Sequence, residues 1–207
     1  GEAEYTAGDS ISSNRNLTLY GVWQERTDYT VKGSITSYSD ENAVVKVYPK
    51  GTEKKDILDI DDDGNVSLAD DSVLPYEVNV ETPEADGDTY TQEYSVAVDA
   101  GEYAIAVYIP GYGLHIEDVD RNNRNKDISL YLLGDANGDG KVRIGDKAVL
   151  ARYIAEWKGY DKLLNEEAAD INGDGEINAA DRMLLERHLA GWSRYKVLEY
   201  GMNTKKQ

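Results

Sequence analysis

Apolar and polar residues alternate through most of the first two thirds of the chain, and then fall into a wider, helical spacing. Alternating runs occur at residues 17–23, 29–35, 43–48, 57–60, 66–68, 76–80, 94–98, 103–109 and 128–132. Turns rich in Gly, Asp, Asn and Pro separate them at short intervals, the pattern of an all-β sandwich. Val96, Val98, Ile105, Val107 and Ile109 are expected on its buried face. Around Leu132 the composition shifts to Leu, Ala, Glu and Arg. Leu150, Ile154 and Trp157 then recur at helical spacing, with Leu185, Leu189 and Trp192 as counterparts, and are predicted to form a helical core. A short helix is expected over residues 162–169. His188 is read as a packed aromatic, and Leu132, Leu133, Tyr195 and Val197 as a clasp between the ends.

The expected organisation is a multidomain chain. Residues 1–26 end a preceding β-repeat or form a linker, and residues 27–132 make an Ig-like or transthyretin-like β-sandwich. Residues 133–200 make a small all-α unit with two EF-hand-like loops, and 201–207 are a tail. No apolar run is long enough to span a bilayer. The polar start, Gly1-Glu2-Ala3-Glu4-Tyr5, cannot be an export signal, so any signal is expected upstream, in a longer parent protein.

Charge narrows the choice of partners. Forty Asp and Glu against 22 Lys and Arg leave a net charge of −18. Such a chain repels phosphate backbones and anionic lipid, which argues against nucleic acid and membrane surfaces. The absence of Cys removes disulfides and thiolate chemistry. With two His and no Gly-x-Ser-x-Gly elbow, no nucleophile–base constellation is present, so the chain is read as non-enzymatic. Sixteen Tyr and no Phe suit half-wet sheet faces and contact surfaces.

The acids are arranged. Asp135-Ala-Asn-Gly-Asp-Gly-Lys-Val-Arg-Ile-Gly-Asp146 recurs 35 residues later as Asp170-Ile-Asn-Gly-Asp-Gly-Glu-Ile-Asn-Ala-Ala-Asp181. The match continues through Arg152 and Arg187, Trp157 and Trp192, Tyr160 and Tyr195. Each segment carries oxygen side chains at its first, third, fifth and twelfth places and Gly at its sixth, the calcium-loop spacing. Asp135, Asn137, Asp139, the carbonyl of Lys141, and Asp146 are the expected ligands of one calcium ion. Asp170, Asn172, Asp174, the carbonyl of Glu176, and Asp181 are those of a second. Val142 and Ile177 are expected to pair the loops across a short β-bridge. The ninth places differ, Arg143 against Asn178. A third run of the same spacing, residues 59–70, lies between two strand patterns and is more economically a hairpin turn than a calcium loop.

Gly134-Asp-Ala-Asn-Gly-Asp-Gly140 with Asp146, and Asp170-Ile-Asn-Gly-Asp-Gly175 with Asp181, resemble the dockerin family, here a divergent type I-like member. Val98 to Tyr112, through Gly101, Tyr103 and Gly111, is similar to a strand pair of the carboxypeptidase-regulatory-like, or transthyretin-like, sandwich. Together the two parts look like an X-module–dockerin pair. The resemblance implies two bound calcium ions and, as partner, a cohesin module of a scaffoldin in a cellulosome-like assembly. It implies a secreted or cell-surface bacterial protein, with polysaccharide reached through the parent protein. Residue by residue, it implies partner contacts at Ile144, Gly145, Ala151 and Arg152, and at Ala179, Ala180, Glu186 and Arg187. The Ser-Thr pair common at the tenth and eleventh loop places is missing, which implies a partner outside the well-studied type I set. In a competing expectation the sandwich itself binds polysaccharide, with Tyr112 and Trp23 as platforms and the dockerin as anchor.

Overall fold

The computed structural model describes residues 28–60, 66–162 and 164–201. The predicted strand at 17–23 with Trp23, the tip of the third acidic run at 61–65, and residues 202–207 of the tail lie outside these.

The alternating segments form two larger sheets and one two-stranded sheet. In the first, β1 (Tyr29–Ser37) runs antiparallel to β7 (Thr89–Val98) over its whole length, from Tyr29 opposite Val98 to Ser37 opposite Tyr90. Strand β10 (Ile128–Ser129) flanks β1 in parallel, while β5 (Val78–Val80) and β6 (Glu84–Asp86) flank β7. The second sheet has the order β2 (Val44–Pro49), β8 (Tyr103–Tyr108), β9 (His115–Val119). A four-residue helix, α1 (Lys54–Ile57), leads into the hairpin of β3 (Leu58–Ile60) and β4 (Val66–Leu68). Because side chains alternate across a strand, Val31, Ile35, Val96 and Val98 of one sheet meet Val45, Val47, Ile105 and Val107 of the other in one buried core. Gln92 is buried at its edge and held at both ends of its amide, accepting from the Ala43 amide at 2.9 Å and donating to the Glu41 carbonyl at 2.9 Å.

Strand β8 is buried on both faces. Ile105 and Val107 point into the sandwich, whereas Ala104, Ala106 and Tyr108 join a second cluster. That cluster takes Tyr48, Ile57, Leu68 and Leu114 from the strand-rich part. From the helical part it takes Leu133, Ala136, Leu150, Ile171, Leu184, Leu185, Leu198 and Tyr200. One apolar core therefore runs from the back of the second sheet into the helices. Polar ties follow the same path. Leu133 N donates to the Gly111 carbonyl at 2.9 Å, Gly113 N to the Tyr131 carbonyl at 3.0 Å, and the Tyr108 hydroxyl to the buried Glu199 carboxyl.

The helical part consists of α2 (Ile144–Ile154), the short α3 (Glu166–Ala169), α4 (Ala179–Leu189) and a final 3₁₀ turn at Ser193–Tyr195. Asn165 caps α3, which is shorter than the predicted 162–169. Leu150, Leu184 and Leu185 are fully buried, and Ile154 and Leu189 pack against them partly buried.

Several expectations change. Trp157 and Trp192 are not core: they are 58 % and 56 % exposed. Helix α2 ends at Ile154 and Glu156 turns left-handed at φ 55°, so a helical period no longer applies by Trp157; Gly191 at φ 72° occupies the equivalent position after α4. Val142 and Ile177 form no β-bridge; both are partly buried against the shared core. Leu133 and Tyr195 are buried together, but Val197 is exposed, and Leu198 takes the place expected for it. Tyr112 is buried in the sandwich core, so it offers no platform for a sugar ring. Strands β6 and β9 were not foreseen, and the last predicted run contracts to two residues.

Two outcomes test the shared core. Ala106→Asp places an unpaired charge where sheet and helices meet and is expected to cost roughly 3 kcal/mol or more. Helical and strand circular dichroism should be lost together at a lower temperature; an unchanged helical transition contradicts the shared core. Burial pushes the Glu199 pKa up, partly offset by hydrogen bonds from Tyr108 and the Gly111 amide. The folded state then holds this proton more tightly than the unfolded one. Its stabilisation is complete below the ordinary Glu pKa of about 4.3 and is lost as pH rises through the raised folded value. Glu199→Gln should therefore gain stability relative to wild type as pH rises, read as diverging urea midpoints in saturating calcium; a constant gap contradicts this.

Candidate metal loops and docking surface

Both acidic repeats fold around the same set of hydrogen bonds, to which the first alone adds one from Asp139 N to Asp135 Oδ1 at 3.0 Å. In the first, Asp139 N donates to Asn137 Oδ1 at 2.9 Å, Gly140 N to Asp135 Oδ2 at 2.7 Å, and Lys141 N to Asp139 Oδ1 at 3.1 Å. In the second, Asp174 N donates to Asn172 Oδ1 at 2.9 Å, Gly175 N to Asp170 Oδ2 at 3.0 Å, and Glu176 N to Asp174 Oδ1 at 2.9 Å. The twelfth-place aspartates close each loop and open each helix. Asp146 accepts from Asn137 N at 3.1 Å and Arg143 N at 2.6 Å, and Asp181 from Asn172 N at 3.2 Å and Asn178 N at 2.9 Å. Standing at the third helical position, each satisfies the amide of the residue before its helix, half of a capping box.

Asp146 and Asp181 have no exposed surface, and Asp135 almost none. Burial raises the Asp135 pKa, opposed by the Gly140 and Asp139 amides and reinforced by the Asp146 and Asp139 charges. Burial likewise raises that of Asp181, opposed by the Asn178 and Asn172 amides and reinforced by Asp170. The Asp170 Oδ1 atom is buried without a hydrogen-bond partner. Among the described residues, no three acid, His or Cys side chains converge into a metal centre on their own. The oxygens instead lean on loop amides, each of which uses only one of an oxygen's two lone pairs. The donor set is nonetheless hard and all-oxygen: carboxylates, one Asn amide oxygen and backbone carbonyls in each loop. That set, the orphaned Asp170 Oδ1 and the uncompensated buried acids fit a calcium-type cation.

Two tyrosines press on the loops from outside. A Cβ at Gly140 would lie 2.7 Å from the Tyr38 ring, and one at Gly173 would lie 2.2 Å from the Tyr200 ring. Both glycines also hold left-handed backbones, at φ 78° and 70°, so only Gly meets both demands. These buttresses were missed, because nothing local in a sequence links Tyr38 to a loop a hundred residues away. The ninth places differ as foreseen. Arg143 pairs with Asp139 at 2.7 Å, whereas Asn178 caps α4 by accepting from Ala180 N at 2.7 Å.

The predicted partner residues lie in the first turn and toward the last turn of each helix. Ile144 is 71 % exposed, Gly145 and Ala179 are exposed, and Ala151 and Ala180 are partly covered. Glu186 is engaged by Lys147 at 3.1 Å and Arg182 at 3.0 Å, which hold its carboxyl below the usual Glu range, so it bridges α2 and α4. Arg152 and Arg187 are not loose. Each donates to a tyrosine hydroxyl, Arg152 to Tyr160 at 2.8 Å and Arg187 to Tyr195 at 2.7 Å, and lies over a tryptophan.

Fold and site together define a tandem loop–helix module carried on a two-sheet β-structure. Residues 133–190, which span both loops, α2, α3 and α4, match the family model of the dockerin type I domain. The strand-rich part lies outside that match, and no curated protein matches the chain.

Asp181→Ala removes an oxygen donor pair and a helix cap at once. It is expected to lower the calcium bound per chain by one ion and to destabilise α4 by about 1 kcal/mol even without metal. Equilibrium dialysis with metal analysis reads the first effect and metal-free thermal melts the second. Unchanged calcium content contradicts the assignment.

Proposed function

We propose that residues 133–200 are a calcium-dependent docking module that binds a cohesin module of a scaffoldin, so assembling the parent protein on a cellulosome-like scaffold or cell surface outside the cell. The observation that carries this reading is the duplicated loop, with a shared set of hydrogen bonds in both copies, inside the stretch that matches the dockerin type I domain. Asp135, Asn137, Asp139, Asp146 and the Lys141 carbonyl would hold one ion. Asp170, Asn172, Asp174, Asp181 and the Glu176 carbonyl would hold the other. Bound calcium supplies positive charge that offsets the mutual repulsion of each acid cluster.

The chain's own part is to turn that charge balance into shape. Each twelfth-place Asp ties its loop to the first turn of a helix, so a fixed loop fixes the helix start and the exposed residues beside it. The partner is read by Ile144, Gly145, Ala151 and Arg152, and by Ala179, Ala180, Glu186 and Arg187. Residues 27–132 act as an X-like, transthyretin-like module that braces the docking module; the shared core and the Tyr38 contact with Gly140 support that role.

Cohesin modules from the source organism, immobilised and probed with the full chain, test the proposal. At least one is expected to bind in millimolar calcium and to lose roughly a hundredfold or more in affinity with chelator. Binding to none, or binding indifferent to calcium, rejects it.

A further inference from the structure

The two copies of the loop–helix unit diverge at most positions open to a partner. Ile144 and Gly145 stand against Ala179 and Ala180, and Ala151 against Glu186. What they share is a three-residue clasp around the end of each helix, the Arg in its last turn and the Trp and Tyr beyond it. The Arg152 guanidinium lies 5.5 Å from the Trp157 ring centre and 5.1 Å from that of Tyr160. For Arg187 the distances are 5.4 Å to Trp192 and 5.2 Å to Tyr195. The indole meets the tyrosine ring edge-on in both, at 6.4 Å and 6.3 Å. Such agreement between copies that differ elsewhere needs a reason; core packing accounts for Tyr195, which is buried, but not for the tryptophans, since more than half of each Trp surface is in water.

The composition suits protein recognition. Trp, Tyr and Arg dominate the energetics of interfaces, and the clasp holds its members in place before any partner arrives, which lowers the ordering cost of binding. The clasp is continuous with the docking surface, because Arg152 and Arg187 already belong to it. Its charge is also distinctive: in a chain of net charge −18, each clasp carries a cation at the equivalent place, Arg152 and Arg187. A carboxylate-bearing surface complements that face.

We propose that each Arg–Trp–Tyr clasp is an anchor on which the docking partner seats, through a surface with acidic groups around an apolar recess that takes the indole. This rests on the cohesin reading above. The test titrates calcium-loaded wild type and a Trp157→Ala, Trp192→Ala double variant against the cohesin that wild type binds most tightly. The double variant is expected to lose roughly tenfold or more in affinity, with calcium content and helical circular dichroism unchanged, a pattern that a purely structural role would not produce. A double variant that binds within about twofold of wild type overturns the proposal.

A second measurement leaves the clasps intact. In a Trp23→Tyr background, cohesin should shield the two remaining indoles from acrylamide quenching; unchanged quenching overturns the proposal even if the double variant fails to fold. Wild type that binds no cohesin brings down the docking reading and the clasp with it. Wild type that binds, beside a double variant that binds equally, brings down the clasp alone.

Discussion

A carboxylate sealed from water must be met by donors or by positive charge, and Asp146 and Asp181 are sealed at the point where each acidic loop becomes a helix. Backbone amides meet part of the requirement, two for each carboxyl. Each loop holds further acids, Asp135 and Asp139 in the first and Asp170 and Asp174 in the second, so the amides, even with Arg143 on Asp139, leave each cluster with an excess of negative charge. The helices that carry the proposed docking surface start from these loops. Whatever balances that charge therefore decides whether the surface exists in its described form.

The strand-rich part contributes more than a tether. Ala104 and Ala106, small residues on the outer face of the central strand of the second sheet, belong to the same cluster as Leu150, Leu184 and Leu185 of the helices. Tyr108 reaches Glu199 near the end of the described chain, and Lys54 lies 4.9 Å from the centre of the Tyr200 ring that covers Gly173. The first loop leans on Tyr38 from the sandwich, the second on Tyr200 from the chain's own end. Loop shape is thus braced by side chains that no isolated loop–helix peptide would carry.

The sequence revealed what local patterns encode. Period-two runs located most strands, and Val96, Val98, Ile105, Val107 and Ile109 lie where the alternation put them. The loops were legible because oxygen side chains at fixed spacing, followed by Gly, recur in duplicate. Glu84–Asp86 stayed hidden because every residue in it is exposed, and His115–Val119 because acids interrupt its alternation. The second burial of the 103–108 strand was also hidden, since an alanine reads the same whether it faces water or a packed helix. The two tryptophans were misplaced because counting by helical period runs past the end of the helix. Gly191, aligned with Glu156, was the available sign that the chain turns there.

The most direct measurement is a calorimetric titration of the metal-stripped full chain with calcium, followed in parallel by helical circular dichroism. The account predicts two ions bound per chain, with a rise in helical signal as the loops fill. No heat and no helical change at millimolar calcium would contradict it.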